Sequence, residues 1–127
     1  MLHRGLLVCL ATLLAICATA RAEDAKVKLE FKVKAPEGTP ADAKIYLAGN
    51  AKELGEWKAD GLELKKGEDG KYTATLEVPK GAKLEYKFTR GNWDTVEKKS
   101  DGSDLDNRKH SAEKDETLDV EVAKWAK

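Results

Sequence analysis

Alternation is the feature that most constrains this chain. From Lys26 to Lys34, Val27, Leu29, Phe31 and Val33 fall on one parity, and charged residues fall on the other. Side chains of an extended strand point alternately to opposite faces. The segment therefore predicts a strand with one buried and one wet face. The same period returns in Tyr72, Ala74, Leu76 and Val78, in Leu84, Tyr86 and Phe88, and in Leu118, Val120 and Val122. Shorter apolar signals predict further strands at Lys44–Gly49, around Leu62 and Leu64, and from Thr95 to Lys98.

Turn residues separate these runs. Pro36, Gly38 and Pro40 close the first, and Gly49-Asn50 closes the second. Gly67-Glu68-Asp69-Gly70, Pro79-Lys80-Gly81 and Gly91-Asn92 break the later ones. Ala51 to Asp60 reads as a loop with a helical turn, and Ser100 to Asp106 as a polar loop. No stretch has the spacing of a three-turn amphipathic helix. Short strands punctuated this often predict an all-β fold, an immunoglobulin-like antiparallel β-sandwich of about seven to eight short strands.

The first 22 residues read differently. His3 and Arg4 precede the apolar run from Leu6 to Ala20, and Ala20-Arg21-Ala22 supplies a small-x-small site. This is the pattern of a secretory signal peptide cleaved after Ala22, with an apolar run shorter than the ~20 residues of a membrane span. Ile16 before Cys17 argues against a lipoprotein. The expected organisation is a signal peptide over 1–22 and one domain over 23–127, exported to the periplasm, the cell surface or the medium. No membrane contact is expected after cleavage. Both cysteines, Cys9 and Cys17, lie in the leader, so no thiol or disulfide chemistry is expected of the domain.

Composition narrows the function. The 127 residues carry 23 basic and 23 acidic side chains, so no basic field points to nucleic acid. His110 is the sole histidine of 23–127, too few for a zinc site built on His and Cys. Asp101, Asp104 and Asp106 do not follow the calcium-loop spacing and read as a solvated loop. There is no Gly-x-Ser-x-Gly elbow and no phosphate loop, and nothing orders a nucleophile, base and orienter. The expectation is a protein without enzymatic activity, cofactor or metal.

The order of the signals carries more than the fold class. Ile45-Tyr46-Leu47-Ala48-Gly49-Asn50 is followed by Glu53-Leu54-Gly55-Glu56-Trp57. Then come Val78-Pro79-Lys80-Gly81, Leu84-Glu85-Tyr86-Lys87-Phe88, Val96-Glu97 and Asn107-Arg108. This series resembles the starch-binding carbohydrate-binding module, family 20, and its glycogen-binding relatives, over about residues 27–122. The resemblance implies non-catalytic binding of an α-1,4-glucan: starch, glycogen or a maltooligosaccharide. It also implies roles. The Trp after the "LG" pair stacks on glucose, and here it is Trp57. The Lys of "EYKF" and the Asn of "NR" reach sugar hydroxyls, and they match Lys87 and Asn107. The second stacking Trp of the family follows "VE", where this chain has Lys98. Trp93, five residues upstream, is the candidate replacement.

Such a constellation is chemically coherent. An aromatic face covers the C–H face of a pyranose, and its quadrupole favours the slightly positive C–H edges. Lys87 donates, and Asn107 both donates and accepts, so hydroxyls at the sugar edge find replacements for water. Two rings set at an angle would read the curvature of an α-1,4 chain. An exposed site of this kind predicts weak binding, roughly micromolar to millimolar.

The resemblance places a second family site on aromatics in the loop before the second strand and near the fourth. Residues 36–43 have none, and the alternation turns Tyr72 inward, so a single site is expected. Trp125 is expected to cover the core or an edge, and Arg108 to pair with a carboxylate. Such modules normally ride on an enzyme, so a separate carbohydrate-active enzyme is an expected partner. The alternative reading is a protein-interaction or structural sandwich that kept the scaffold and lost the sugar site, with Lys98 as its mark.

Overall fold

The computed structural model describes residues 25–127. The signal-peptide reading of 1–22 lies outside the described residues. Ten strands run in chain order: β1 Lys26–Lys34, β2 Tyr46–Gly49, β3 Leu62–Glu63, β4 Lys65–Lys66, β5 Tyr72–Pro79, β6 Ala82–Thr89, β7 Glu97–Lys98, β8 Arg108–Ala112, β9 Glu116–Glu121 and β10 Lys124–Trp125. They form one sheet in the order β4-β5-β1-β9, a second in the order β3-β2-β6-β8, and a β10-β7 ribbon. This is the predicted β-sandwich, divided into more and shorter strands.

Every strand pair is antiparallel except one. β9 lies parallel to β1, with Leu29 opposite Glu116 and Lys34 opposite Glu121, while β5 pairs antiparallel on β1's other edge. The leucine-rich stretch at 62–66 also departs from the single strand expected of it. Leu62–Glu63 pairs with β2 in the second sheet, and Lys65–Lys66 pairs with β5 in the first. Leu64, buried between them, donates its N–H to the Ile45 carbonyl at the crossing. Thr95 belongs to a short 3-10 turn, Trp93–Thr95, which leaves only Glu97–Lys98 as strand.

The alternation translates directly into the core. Val27, Leu29, Phe31 and Val33 of β1 face Leu84, Tyr86 and Phe88 of β6 across the sandwich, all buried. Phe31 meets Tyr86 edge-on at 5.3 Å between centroids, and Tyr86 meets Phe88 at 5.9 Å. Such edge-to-face pairs contribute about 0.5–1.5 kcal/mol each beyond their burial. They also lock the two sheets in a single register, because a one-residue slip would turn each ring outward.

β8 carries no apolar alternation and was not foreseen as a strand. Its inward positions are Arg108, His110 and Ala112, facing Tyr86, Leu84 and Ala82 in the β6 register. The two polar ones are satisfied inside. His110 Nε2 lies 2.8 Å from Glu116 Oε1. Arg108 Nε and Nη2 grip the carboxylate of Glu97, which is 1% exposed. Glu97 Oε2 also accepts the Phe88 N–H at 3.0 Å, and the Arg108 guanidinium lies over the Phe88 ring. Burial alone would lower the Arg108 pKa, but the Glu97 carboxylate outweighs it, so the guanidinium is held above its ordinary value.

Candidate functional site

The outer face of β2 and β6 is where the sandwich departs from a plain wet surface. Ala48 and Thr89 point outward there, away from inward Leu47 and Phe88, yet both are fully buried. The segment following β2 covers them. It begins with a short 3-10 turn, Lys52–Leu54, and returns across the sheet, where Thr89 Oγ1 donates to the Ala59 carbonyl at 2.6 Å. The return is tight enough to require glycine at Gly61, where a Cβ would stand 2.1 Å from the Leu54 carbonyl oxygen.

Trp57 sits on this cover in an unusual backbone. Gly55, Glu56 and Trp57 have φ of 79°, 50° and 71°, three successive left-handed residues. For the two that carry a Cβ this conformation is costly. It persists because Glu56 N donates to the Ala51 carbonyl at 3.2 Å and Trp57 N to the Gly49 carbonyl at 2.7 Å. The chain thus twists the indole out of the loop and pins its base to the end of β2.

Trp93 reaches the same place from the other side. It opens the 3-10 turn that follows β6 and is 44% exposed. Thr95 Oγ1 accepts the Arg90 N–H at 3.1 Å and donates to the Asn92 carbonyl at 2.8 Å, which fixes the turn. The indoles of Trp57 and Trp93 stand 6.5 Å apart between centroids, tilted by 42°. A partly buried ring and an exposed one thus meet at an angle, drawn from segments 36 positions apart in the sequence.

The polar residues come from the neighbouring strands. Lys87 on β6 lies opposite Ala48, on the same outer face. The β6–β8 register ends with Tyr86 opposite Arg108, and one further step sets Lys87 opposite Asn107. Asn107 is exposed, and its Nδ2 donates to Glu85 Oε1 at 3.4 Å. Asn50 ties the strand ends: its Nδ2 donates to the Lys83 carbonyl, its Oδ1 accepts the Glu85 N–H, and its N–H goes to the Glu85 carbonyl. Sequence reasoning read Asn50 only as a strand breaker and did not single out Glu85.

Lys98 is not available as a surrogate ring or as a free cation. Its ammonium bonds the Asp104 carboxylate, and the two residues also form an isolated β-bridge. Asp104 is held below its ordinary value of 3.8, first by the Lys98 hydrogen bond and charge and also by the nearby charge of Lys87. Asp101 is likewise lowered, by accepting from Ser103 N and Oγ. The acidic loop is therefore bonded internally, and among the described residues no group of His, Cys, Asp and Glu is arranged to hold a metal.

The remaining expectations fall on the structural side. Tyr72 is 3% exposed, donates to the Ala43 carbonyl, and has the Lys66 ammonium over its ring. Trp125 is buried, with its Nε1 donating to Thr39 Oγ1 at 3.0 Å. Arg108 has its carboxylate in Glu97.

Fold and site together define a carbohydrate-binding β-sandwich. The chain belongs to the starch binding domain family, whose model matches residues 26–121. It is 40% identical over 98 residues, 75% of its length, to an alpha-amylase from Niallia circulans. It spans 7% of that relative's length. Among solved structures, a family 15 glucoamylase from Hypocrea jecorina matches 80% of this chain with 17% of its own at a TM-score of 0.61 and 18% identity. The family 20 module of a maltotetraose-forming amylase from Pseudomonas saccharophila is matched over its whole length, covering 76% of this chain, at a TM-score of 0.53 and 17% identity. The likeness to these two structures is one of fold. Residues 26–121 thus form a starch-binding domain, a non-catalytic type of module.

Proposed function

We propose that Trp57 and Trp93 together form the sugar platform, with Lys87 and Asn107 bonding the hydroxyls at its edge. The observation that carries this reading is the tilted pair of indoles, 6.5 Å apart. Each ring covers the apolar face of one glucosyl unit, and the angle between them follows the bend of an α-1,4-linked chain. The ring that relatives place after "VE" is thus supplied five positions earlier. Lys98, freed from stacking, ties down the loop that leads to Asn107. Because the rings are already in contact and the Trp57 backbone is pinned, little ordering is lost on binding.

The domain acts outside the cytoplasm, delivered by the leader read in residues 1–22. It holds α-glucan for a carbohydrate-active enzyme on another chain. The similar stretch in the alpha-amylase relative, part of a far longer protein, supports a working association with such an enzyme.

A tryptophan-fluorescence titration with β-cyclodextrin tests the platform, with cellobiose as the control. The expected result is a saturable change with the cyclodextrin alone. Trp57→Ala and Trp93→Ala each weaken it by about tenfold or more while the melting profile shows a folded domain. Unchanged affinity in Trp93→Ala would remove that residue from the site. Loss of folding rather than binding in Trp57→Ala would return that ring to a packing role.

A further inference from the structure

The polar loop that follows β7 folds back on itself as a hairpin. Lys98 and Asp104 face each other in an antiparallel bridge. Lys99 N donates to the Ser103 carbonyl at 3.0 Å, and Gly102 N to the Lys99 carbonyl at 2.8 Å. Gly102 has φ 86°, a left-handed turn conformation that glycine adopts without penalty. Lys124 of β10 lies opposite Lys98 on the other flank. Three extended segments thus run side by side, with Asp104 on the side away from β10.

This row carries Asp104 to the polar edge of the platform. Glu97, one residue before Lys98, accepts the Phe88 N–H, which sets β7 beside the part of β6 that holds Lys87. Asn107 lies three residues past Asp104, so their Cα atoms are within about 11 Å. The Lys98 hydrogen bond and charge, and after them the charge of Lys87, hold the Asp104 carboxyl below its ordinary value. Asp104 is therefore an anion at neutral pH, within reach of the Lys87 charge.

One oxygen of that carboxylate is unspent. Oδ1 accepts from the Lys98 ammonium, while Oδ2 takes no hydrogen bond among the described residues, and the side chain is 90% exposed. Neighbouring acids are engaged: Asp101 accepts from Ser103 N and Oγ, and Glu85 accepts from Asn107. Lys87 and Asn107 offer N–H donors and a single amide oxygen. A sugar hydroxyl donates as well as accepts, and it bonds a carboxylate more strongly than a neutral oxygen.

We propose that Asp104 is a further sugar ligand, whose free Oδ2 accepts a hydrogen bond from a hydroxyl of the glucosyl unit that Lys87 also bonds. Lys98 aims the carboxylate at that unit. A donor and an anionic acceptor side by side select two adjacent hydroxyls, a pattern that a lone lysine does not distinguish. Asp104 thereby adds an acceptor to the Trp57–Trp93 platform, on whose reading as a sugar site its role depends.

Titration calorimetry with β-cyclodextrin tests this in a series of variants, each checked for folding by its melting profile. Asp104→Ala should weaken binding by about tenfold, the loss of one hydrogen bond to a charged group. Asp104→Asn keeps an acceptor oxygen without the charge and should lose less. Lys98→Met lifts the tie but leaves the carboxylate, and should lose no more than about threefold. Equal losses in Asp104→Ala and Lys98→Met would make Asp104 a fastener of the loop and overturn the proposal. An Asp104→Ala affinity within about twofold of the native one overturns it too. Trp57→Ala and Trp93→Ala in the same series separate the two readings. Weakening there with none in Asp104→Ala removes this ligand and leaves the platform. Weakening in Asp104→Ala with none in either Trp variant removes the rings and keeps Asp104 as a sugar contact.

Discussion

At the scale of single residues, the proposed platform rests on a strained backbone. Glu56 gains nothing visible from its side chain at φ 50°, whereas Trp57 needs its conformation to present the ring. Glu56→Gly keeps the turn and removes the Cβ penalty. It should raise the unfolding free energy by about 0.5–1 kcal/mol in a urea titration, with cyclodextrin affinity unchanged. A fall in stability would show that the Glu56 side chain supports the loop after all. The inward turn of Tyr72 and the carboxylate partner of Arg108 were legible in the sequence, and the "ELGEW" pattern singled out Trp57 as the candidate stacking ring. The left-handed run was not, because neither Glu nor Trp signals positive φ; only Gly55 does. That Trp93 reaches Trp57 was equally hidden, since it depends on two separate loops closing over one strand pair.

At the scale of elements, the three longest alternating runs, β1, β5 and β6, were readable because each buries its apolar parity and, Thr89 aside, leaves the other at least partly open. β8 was not, for a physical reason. Its inward residues Arg108 and His110 are polar and gain their places from carboxylates that lie elsewhere in the sequence, Glu97 and Glu116. Pattern reading detects apolar burial, not paired polar burial. The Glu97–Arg108 pair is correspondingly important, since it joins β7, β8 and, through the Phe88 N–H, β6. Glu97→Gln leaves the guanidinium without its carboxylate and should cost about 3 kcal/mol or more by chemical denaturation. A cost below about 1 kcal/mol would mean that the strands need no such tie. The split of 62–66 between the two sheets was hidden as well, because a two-residue strand has no period to read.

At the scale of the whole molecule, stability should depend on pH through Tyr86. Burial raises its phenol above the ordinary value of 10.0; Arg108 opposes the shift and Glu97 adds to it. A group whose pKa is raised by folding keeps its full contribution below the unfolded value and loses it as pH climbs through the folded one. Unfolding free energy should therefore fall above about pH 10 more steeply in the native sequence than in Tyr86→Phe, as followed by denaturant titrations between about pH 8 and 12. Parallel curves for the two proteins would assign the alkaline loss to other groups.

The side-by-side pairing of β1 and β9 bears on how this domain comes into being. Lys28 donates to Asp115 across a separation of 87 residues, and Leu29 lies opposite Glu116. A ribosome releases Lys28 long before Asp115, so the first long strand waits through most of synthesis with one flank open. Contacts this remote in sequence delay closure of the fold. Under the export proposed above, that delay would be useful. A strand needed to complete the sandwich emerges late in synthesis, which would keep the polypeptide loose enough to pass a narrow channel.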